Sequence, residues 1–120
     1  MKNLKSDYRI YGRKKARGRK DISSLVSSDF FLDLEKKNKK KIILDIGTGK
    51  GESAIFLSQK NPEKLIIAAD VYEDGLLSLY KEVIKLKIKN IKIFNKNILF
   101  LLDKFDKKNF IEEIWILFPD

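Results

Sequence analysis

The chain has 120 residues, 43% of them hydrophobic, and it contains neither cysteine nor histidine. A chain of this length suits one domain with a modest core. The missing residue types exclude disulfides, Cys/His zinc sites and histidine-based catalytic triads. The longest apolar runs are too short to span a bilayer, and the N-terminus lacks the apolar segment of a secretory signal. We therefore expect a cytoplasmic, monomeric protein without a membrane or metal partner.

The positive charge is concentrated at the N-terminus. Nine Lys or Arg residues and one Asp occupy residues 1–20, which accounts for +8 of the formal net charge of +9. A basic arm on a nearly neutral domain favours a polyanionic partner, above all nucleic acid, and the alternative is a solvated lysine-rich tail. We expect a flexible arm over 1–20 and a folded domain over 21–120. The candidate RNA-binding residues are Arg13, Lys14, Lys15, Arg17 and Arg19.

From residue 41 onwards, apolar strand patterns alternate with helical ones. Residues 21–37, which precede this region, predict only a short helix capped by Asp21 or Ser23. The predicted strands cover 42–46, 65–70, 91–95 and 112–118, and the predicted helices cover 52–60, 74–87 and 98–105. This order is typical of an α/β fold, a parallel sheet with helices on both faces. The last strand would leave an apolar edge exposed, so we expect further strands from a longer protein or from a partner.

A glycine-rich turn follows the first predicted strand and reads Asp45-Ile46-Gly47-Thr48-Gly49-Lys50-Gly51. Glycine at every second position suits a backbone with positive φ or close contact with a ligand. The last glycine comes one place too early for the dinucleotide fingerprint, and Lys50-Gly51 does not complete a P-loop. The acid before the turn favours a ligand with a cationic portion, and a simple tight turn is the alternative.

Three further polar residues end or follow the other predicted strands, Asp70 as the last residue of the second strand. Asp70 comes about 20 residues after the glycines, where a carboxylate that binds ribose is expected. Asn97 could donate to and accept from an adenine edge, and Asp120 follows the fourth strand. Taken singly, each could be a helix cap or a turn residue. Because parallel strands share one carboxyl edge, we expect these residues and Asp45 to surround a single nucleoside.

These residues resemble class I S-adenosylmethionine-dependent methyltransferases and, more narrowly, the bacterial tRNA (guanine-N7)-methyltransferases. The likeness includes residues 11–15, 44–52, 70–71 and 90–97, and its most specific motif is Leu117-Phe118-Pro119-Asp120. It implies a Rossmann-like sheet without its C-terminal strands, with S-adenosylmethionine as cofactor and tRNA as partner. The implied reaction is methyl transfer to N7 of a guanosine in the variable loop.

The resemblance also implies roles for individual residues. Asp120 matches the catalytic carboxylate, and the implied cofactor-binding residues are Asp45, Gly47, Gly49, Asp70, Asn97 and Asp120. The family often has glutamate at positions 45 and 70, and many bacterial members have aspartate at position 97. Its Phe-Pro-Asp motif normally continues into Pro-Trp and a basic run. The alternatives are a catalytically silent nucleic-acid-binding fragment, a methyltransferase with another substrate, and an NAD-dependent oxidoreductase, which the glycine spacing disfavours.

Overall fold

The computed structural model describes residues 22–105 and 111–116, which form a parallel sheet with three helices. The strand order is β3-β2-β1-β4, and every strand pair is parallel. The predicted alternation of strands and helices is confirmed, and the boundaries differ by one residue at most, except that the last strand was predicted to reach residue 118 and is described as far as Ile116. The elements are β1 (Ile42–Ile46), α1 (Glu52–Lys60), β2 (Leu65–Ala69), α2 (Glu73–Leu86), β3 (Ile91–Phe94), α3 (Ile98–Phe105) and β4 (Ile111–Ile116).

Helices cover both faces of the sheet, as predicted. Ile43 and Ile66 point to the face that α1 and α2 cover, whereas Ile42, Leu44 and Ile67 point to the face of α3. Because both faces are covered, all five residues of β2 are buried. This explains why the strand reads as a continuous apolar run rather than an alternating one.

The ends of the first two helices follow from local sequence. Helix α1 stops at Lys60 because Asn61 precedes a proline, and the Asn61 N–H donates to the Leu57 carbonyl at 2.9 Å. Helix α2 ends at Leu86 and is capped by Lys87, whose φ of 58° is left-handed, as is common just after a helix. Within the described ranges, no helix is long and apolar enough to cross a membrane.

The predicted helix within residues 21–37 is wrong. Residues 22–34, here called the edge segment, form two 3-10 turns, Ile22–Ser24 and Ser28–Phe30. Ser27 caps the second turn by accepting from the Asp29 N–H at 3.1 Å. Ser23 lies inside the first turn rather than capping a helix, and Asp21 lies outside the described residues.

The edge segment covers the free side of β3. The Leu32 N–H donates to the Ile93 carbonyl at 2.8 Å, and Phe31 forms a parallel bridge with Ile93. Phe30 packs into the core of the α1/α2 face, whereas Leu32 and Leu34 pack against the core of the α3 face. A helix could not send its apolar residues to both faces, which explains why the helical spacing was weak.

Strand β4 lies at the opposite edge of the sheet and is far less covered. Among the described strands, β1 is its sole partner. Ile114, Trp115 and Ile116 are between 41% and 50% exposed. The apolar edge predicted for the fourth strand is therefore confirmed over the residues that the structure describes.

We predict that Phe30 anchors the edge segment. Its side chain is only 6% exposed, and its ring centroid lies 5.2 Å from that of Tyr80. Phe30→Ala should lower the free energy of unfolding by about 3–5 kcal/mol because it leaves a cavity in the core. Urea denaturation measures this loss.

The control is Leu25→Ala in the same segment. Leu25 is 45% exposed, so its truncation should change the free energy of unfolding by less than about 0.5 kcal/mol. Similar losses for the two variants would contradict the anchoring role.

Candidate functional site

The glycine turn leaves β1 with a strongly left-handed backbone. Gly47, Gly49 and Gly51 have φ angles of 77°, 59° and 90°. The expected positive φ is thus confirmed, and residues with a Cβ would be strained at these positions. The Gly47 N–H donates to the Ala69 carbonyl at 2.8 Å, which folds the turn back over the end of β2.

The surroundings of the glycines differ in how much space they leave. A Cβ added at Gly51 would lie 2.5 Å from Leu79 Cδ1, so Gly51 is needed for packing against α2. A Cβ added at Gly49 would meet nothing within 4 Å. The turn therefore packs tightly against the protein at Gly51 and leaves space beside Gly49 that a ligand could fill.

Gly75 supports the turn from the first turn of α2, and the sequence analysis missed it. A Cβ at this position would lie 2.2 Å from the Gly49 carbonyl oxygen. The only signal in the sequence is a glycine near the start of a strongly amphipathic helix, where its low helix propensity needs a packing reason. Gly75 lets α2 approach the backbone of the turn directly.

Asp45 lies beneath the turn and is fully buried, with a relative exposure of 0%. Its Oδ2 accepts hydrogen bonds from Thr48 Oγ1 at 2.9 Å and from Ser53 Oγ at 2.6 Å. Its Oδ1 is also buried and has no hydrogen-bond partner within the part of the chain that the structure describes. The pKa of Asp45 lies above its usual value because burial raises it, although the Ser53 and Thr48 hydroxyls lower it, and the nearby charge of Asp70 raises it further. Sequence reasoning missed both hydroxyl residues.

Asp70 connects the glycine turn to the loop before α2. Its Oδ2 accepts from the Gly49 N–H at 2.8 Å, and its Oδ1 accepts from the Tyr72 N–H at 3.0 Å. Each carboxylate oxygen can accept more than one hydrogen bond, so Asp70 keeps the capacity to accept from ligand hydroxyls. The structure thus brings Asp45, Gly47, Gly49 and Asp70 together at one rim of the sheet, as expected.

Asn97 lies at the same rim, where α3 begins. Its Oδ1 accepts from the Leu99 N–H at 2.8 Å, which makes Asn97 the N-cap of α3. The structure therefore shows the capping role that was an alternative for this residue, and its contact with adenine stays a prediction. Asp120 and the arm residues Arg13, Lys14, Lys15, Arg17 and Arg19 lie outside the described residues, so their roles also stay predictions.

The charges at the rim decide which kind of ligand suits it. Two carboxylates, Asp45 and Asp70, lie close enough for the charge of one to raise the pKa of the other. Glu52 occupies the first turn of α1, where a helix would otherwise attract phosphate. The site therefore disfavours a polyphosphate and suits a nucleoside that carries positive charge.

The comparison with family models decides the affiliation. The family described as "Putative methyltransferase" matches residues 39–120. The chain belongs to this methyltransferase family. The matched range contains all four strands, the glycine turn, Asp70 and Asn97, so the family match and the candidate site coincide.

The proteins and solved structures that are similar to the chain include the following two proteins and one structure. A tRNA (guanine-N(7)-)-methyltransferase of Neorickettsia sennetsu is 33% identical over 93% of this chain and 52% of its own length. A bifunctional methyltransferase of Rickettsia felis is 38% identical over 68% of this chain and 15% of its own length. The structure of M. capricolum TrmK with S-adenosyl-homocysteine matches 71% of this chain and 38% of that one, with 27% identity and a TM-score of 0.57.

The chain spans about half the length of the Neorickettsia protein and less of the other two. The likeness to TrmK supports the Rossmann-like methyltransferase fold, in agreement with the parallel sheet and its flanking helices.

We predict that Gly49 and Gly51, two of the three positive-φ glycines, tolerate a side chain to different degrees. Gly49→Ala should lower the free energy of unfolding by about 1–2 kcal/mol, the cost of a left-handed conformation alone. Gly51→Ala should lower the free energy of unfolding by ~1–3 kcal/mol more than Gly49→Ala does, because the new Cβ would overlap Leu79. Urea denaturation of both variants measures the difference. Equal losses would show that the contact with Leu79 does not constrain the turn.

Proposed function

We propose that this chain is the cofactor-binding core of an enzyme that transfers a methyl group from S-adenosylmethionine to N7 of guanosine in tRNA. The observation that carries the proposal is the Asp70 carboxylate bonded to the Gly49 N–H, beside a turn with open space at Gly49. Membership of the methyltransferase family supports the reaction type. The Neorickettsia relative, named a tRNA (guanine-N(7)-)-methyltransferase, supports the substrate.

The residues at the rim fit S-adenosylmethionine. The space beside Gly49 suits close contact between backbone and ligand, and Asp70 retains lone pairs for the two ribose hydroxyls. The buried Asp45 carboxylate provides negative charge for a cationic ligand. The TrmK structure with S-adenosyl-homocysteine supports the same ligand class. In this proposal Gly47, Gly49, Asp70 and Asn97 bind the cofactor, with Asn97 donating to or accepting from the adenine.

The proposed chemistry asks the protein for position and charge rather than for a strong base. When bound, S-adenosylmethionine supplies a methyl group on a cationic sulfonium. Guanine N7 has a lone pair and carries no proton, so a chain without histidine can promote its attack. Asp120 would accept from the guanine N1–H and amino group and would stabilise the positive charge that develops on the base. Asp45 would favour the cationic cofactor over its neutral product.

The basic arm would bind the tRNA backbone in this proposal. Arg13, Lys14, Lys15, Arg17 and Arg19 lie in the segment that carries most of the net charge. Lysine and arginine that contact phosphates release counterions, so the affinity for tRNA should fall steeply with salt.

A protein with this proposed function would act in the cytoplasm.

The first test concerns the cofactor. Asp70→Ala should weaken binding of S-adenosyl-homocysteine at least about tenfold, because the ribose would lose a charged acceptor. Isothermal titration calorimetry measures the dissociation constant, with Asp103→Ala on the exposed side of α3 as the matched control. NAD should not bind. Binding of NAD without binding of S-adenosyl-homocysteine would replace the methyltransferase proposal with an oxidoreductase.

The second test concerns the reaction. With labelled S-adenosylmethionine and unmodified tRNA, the complete enzyme that contains this core should yield 7-methylguanosine. Asp120→Ala in that enzyme should abolish this product while binding of S-adenosyl-homocysteine survives, weakened. Unchanged transfer by Asp120→Ala would disprove the catalytic role. Binding of tRNA and cofactor without any transfer would favour the catalytically silent alternative, which the match to 52% of the Neorickettsia protein motivates. A different methylated base would indicate another substrate.

A further inference from the structure

We propose that Thr48 and Ser53 are positioning residues that hold the buried Asp45 carboxylate in its ionised form, so that its charge acts on the cationic part of the cofactor. The inference rests on the proposed function, because it concerns the same cofactor. It adds two residues that neither the glycine pattern nor the acid itself indicates.

The geometry around Asp45 places two hydroxyl donors on one oxygen of its carboxylate. Asp45 is the fourth residue of β1, and its partners in the sheet are Ala68 on β2 and Trp115 on β4. The Ser53 hydroxyl lies 2.6 Å from Oδ2, a distance typical of an O–H donor bound to a charged oxygen. Thr48, itself only 4% exposed, donates to the same oxygen at 2.9 Å.

The hydroxyls oppose two effects that disfavour the charge. Burial is the largest influence on the pKa of Asp45 and raises it, and the like charge of Asp70 raises it as well. In the described part of the chain, the hydrogen bonds from Ser53 and Thr48 are the influences that lower it. The neighbouring elements carry the following charged groups: Asp70 after β2, Lys50 in the turn, Glu52 at the start of α1 and Glu113 on β4.

The two donors come from different parts of the fold. Thr48 belongs to the glycine turn, and Ser53 belongs to the first turn of α1. One carboxylate oxygen therefore connects β1, the turn and α1. The other oxygen, Oδ1, is buried without a described partner, so residues 22–105 and 111–116 satisfy only one of the two carboxylate oxygens. A cationic ligand at the rim would compensate this charge.

The test is the pH dependence of cofactor binding. The dissociation constant of S-adenosylmethionine is measured by calorimetry from about pH 4 to about pH 8. Affinity should be lost as the pH falls through the pKa of Asp45, because protonation removes the charge. Ser53→Ala removes a hydrogen bond that lowers this pKa, so the loss should occur at a pH about one unit higher, with about tenfold weaker binding at a fixed pH within that range. Ser53→Thr, which keeps the hydroxyl, should restore the wild-type profile.

Ser58→Ala is the matched control. Ser58 is another serine of α1, 3% exposed, and its hydroxyl donates to the Ile55 carbonyl at 3.1 Å instead of to Asp45. Its removal should leave the pH profile unchanged. Thr48→Val removes the other donor and should shift the profile in the same direction as Ser53→Ala, which gives a second variant if Ser53→Ala unfolds.

Several outcomes would overturn the inference. One is a wild-type profile that neither Ser53→Ala nor Thr48→Val moves, and another is an equal shift in Ser58→Ala. In an Asp45→Asn background, a shift caused by Ser53→Ala would also contradict it, because the titrating group would be absent. If the wild-type protein binds no S-adenosylmethionine at any pH, the proposed function fails together with this inference. If the wild-type protein loses affinity at low pH as expected and the variants show the same pH dependence, only this inference is disproved and the proposed function stands.

Discussion

The site depends on a glycine turn that folds back from β1 over the end of β2. Hydrogen bonds hold it there, among them those from Gly47 to the Ala69 carbonyl, from Gly49 to the Asp70 carboxylate, and from the Thr48 hydroxyl to Asp45. Positive φ at the three glycines makes this path possible without strain. The two carboxylates therefore have a structural role and a chemical one, because the groups that shape the turn also provide the negative charge that a cationic ligand needs.

The sequence predicted the structure correctly where a residue pattern reflects a single structural requirement. The continuous apolar run of β2 and the glycine spacing predicted a buried strand and a left-handed turn, and both are present. The helix predicted within residues 21–37 failed because Phe30 and Leu32 pack on opposite faces of the sheet, so their spacing fits no single helical face. Periodicity assumes one buried side, and a segment that wraps around an edge has two.

The sequence analysis missed some residues of the site for a different reason. Gly75 and Ser53 matter because of what lies opposite them in space, the Gly49 carbonyl oxygen and the Asp45 carboxylate. Their own sequence neighbourhoods resemble any helix start. Asn97 shows the reverse difficulty, because its position after β3 fits a ligand contact and its Oδ1 caps α3. A residue that follows a strand and precedes a helix meets both requirements at once, and position alone cannot separate them.

The edge segment has a consequence for the architecture as a whole. By hydrogen bonding to Ile93, it closes the β3 side of the sheet with a short irregular stretch that leaves little room for another strand. The β4 side has no comparable cover among the described residues, and its apolar side chains stay accessible. The two edges of the sheet therefore differ. An additional strand, from the same polypeptide or from another, would pair with β4, because the edge segment covers the β3 edge.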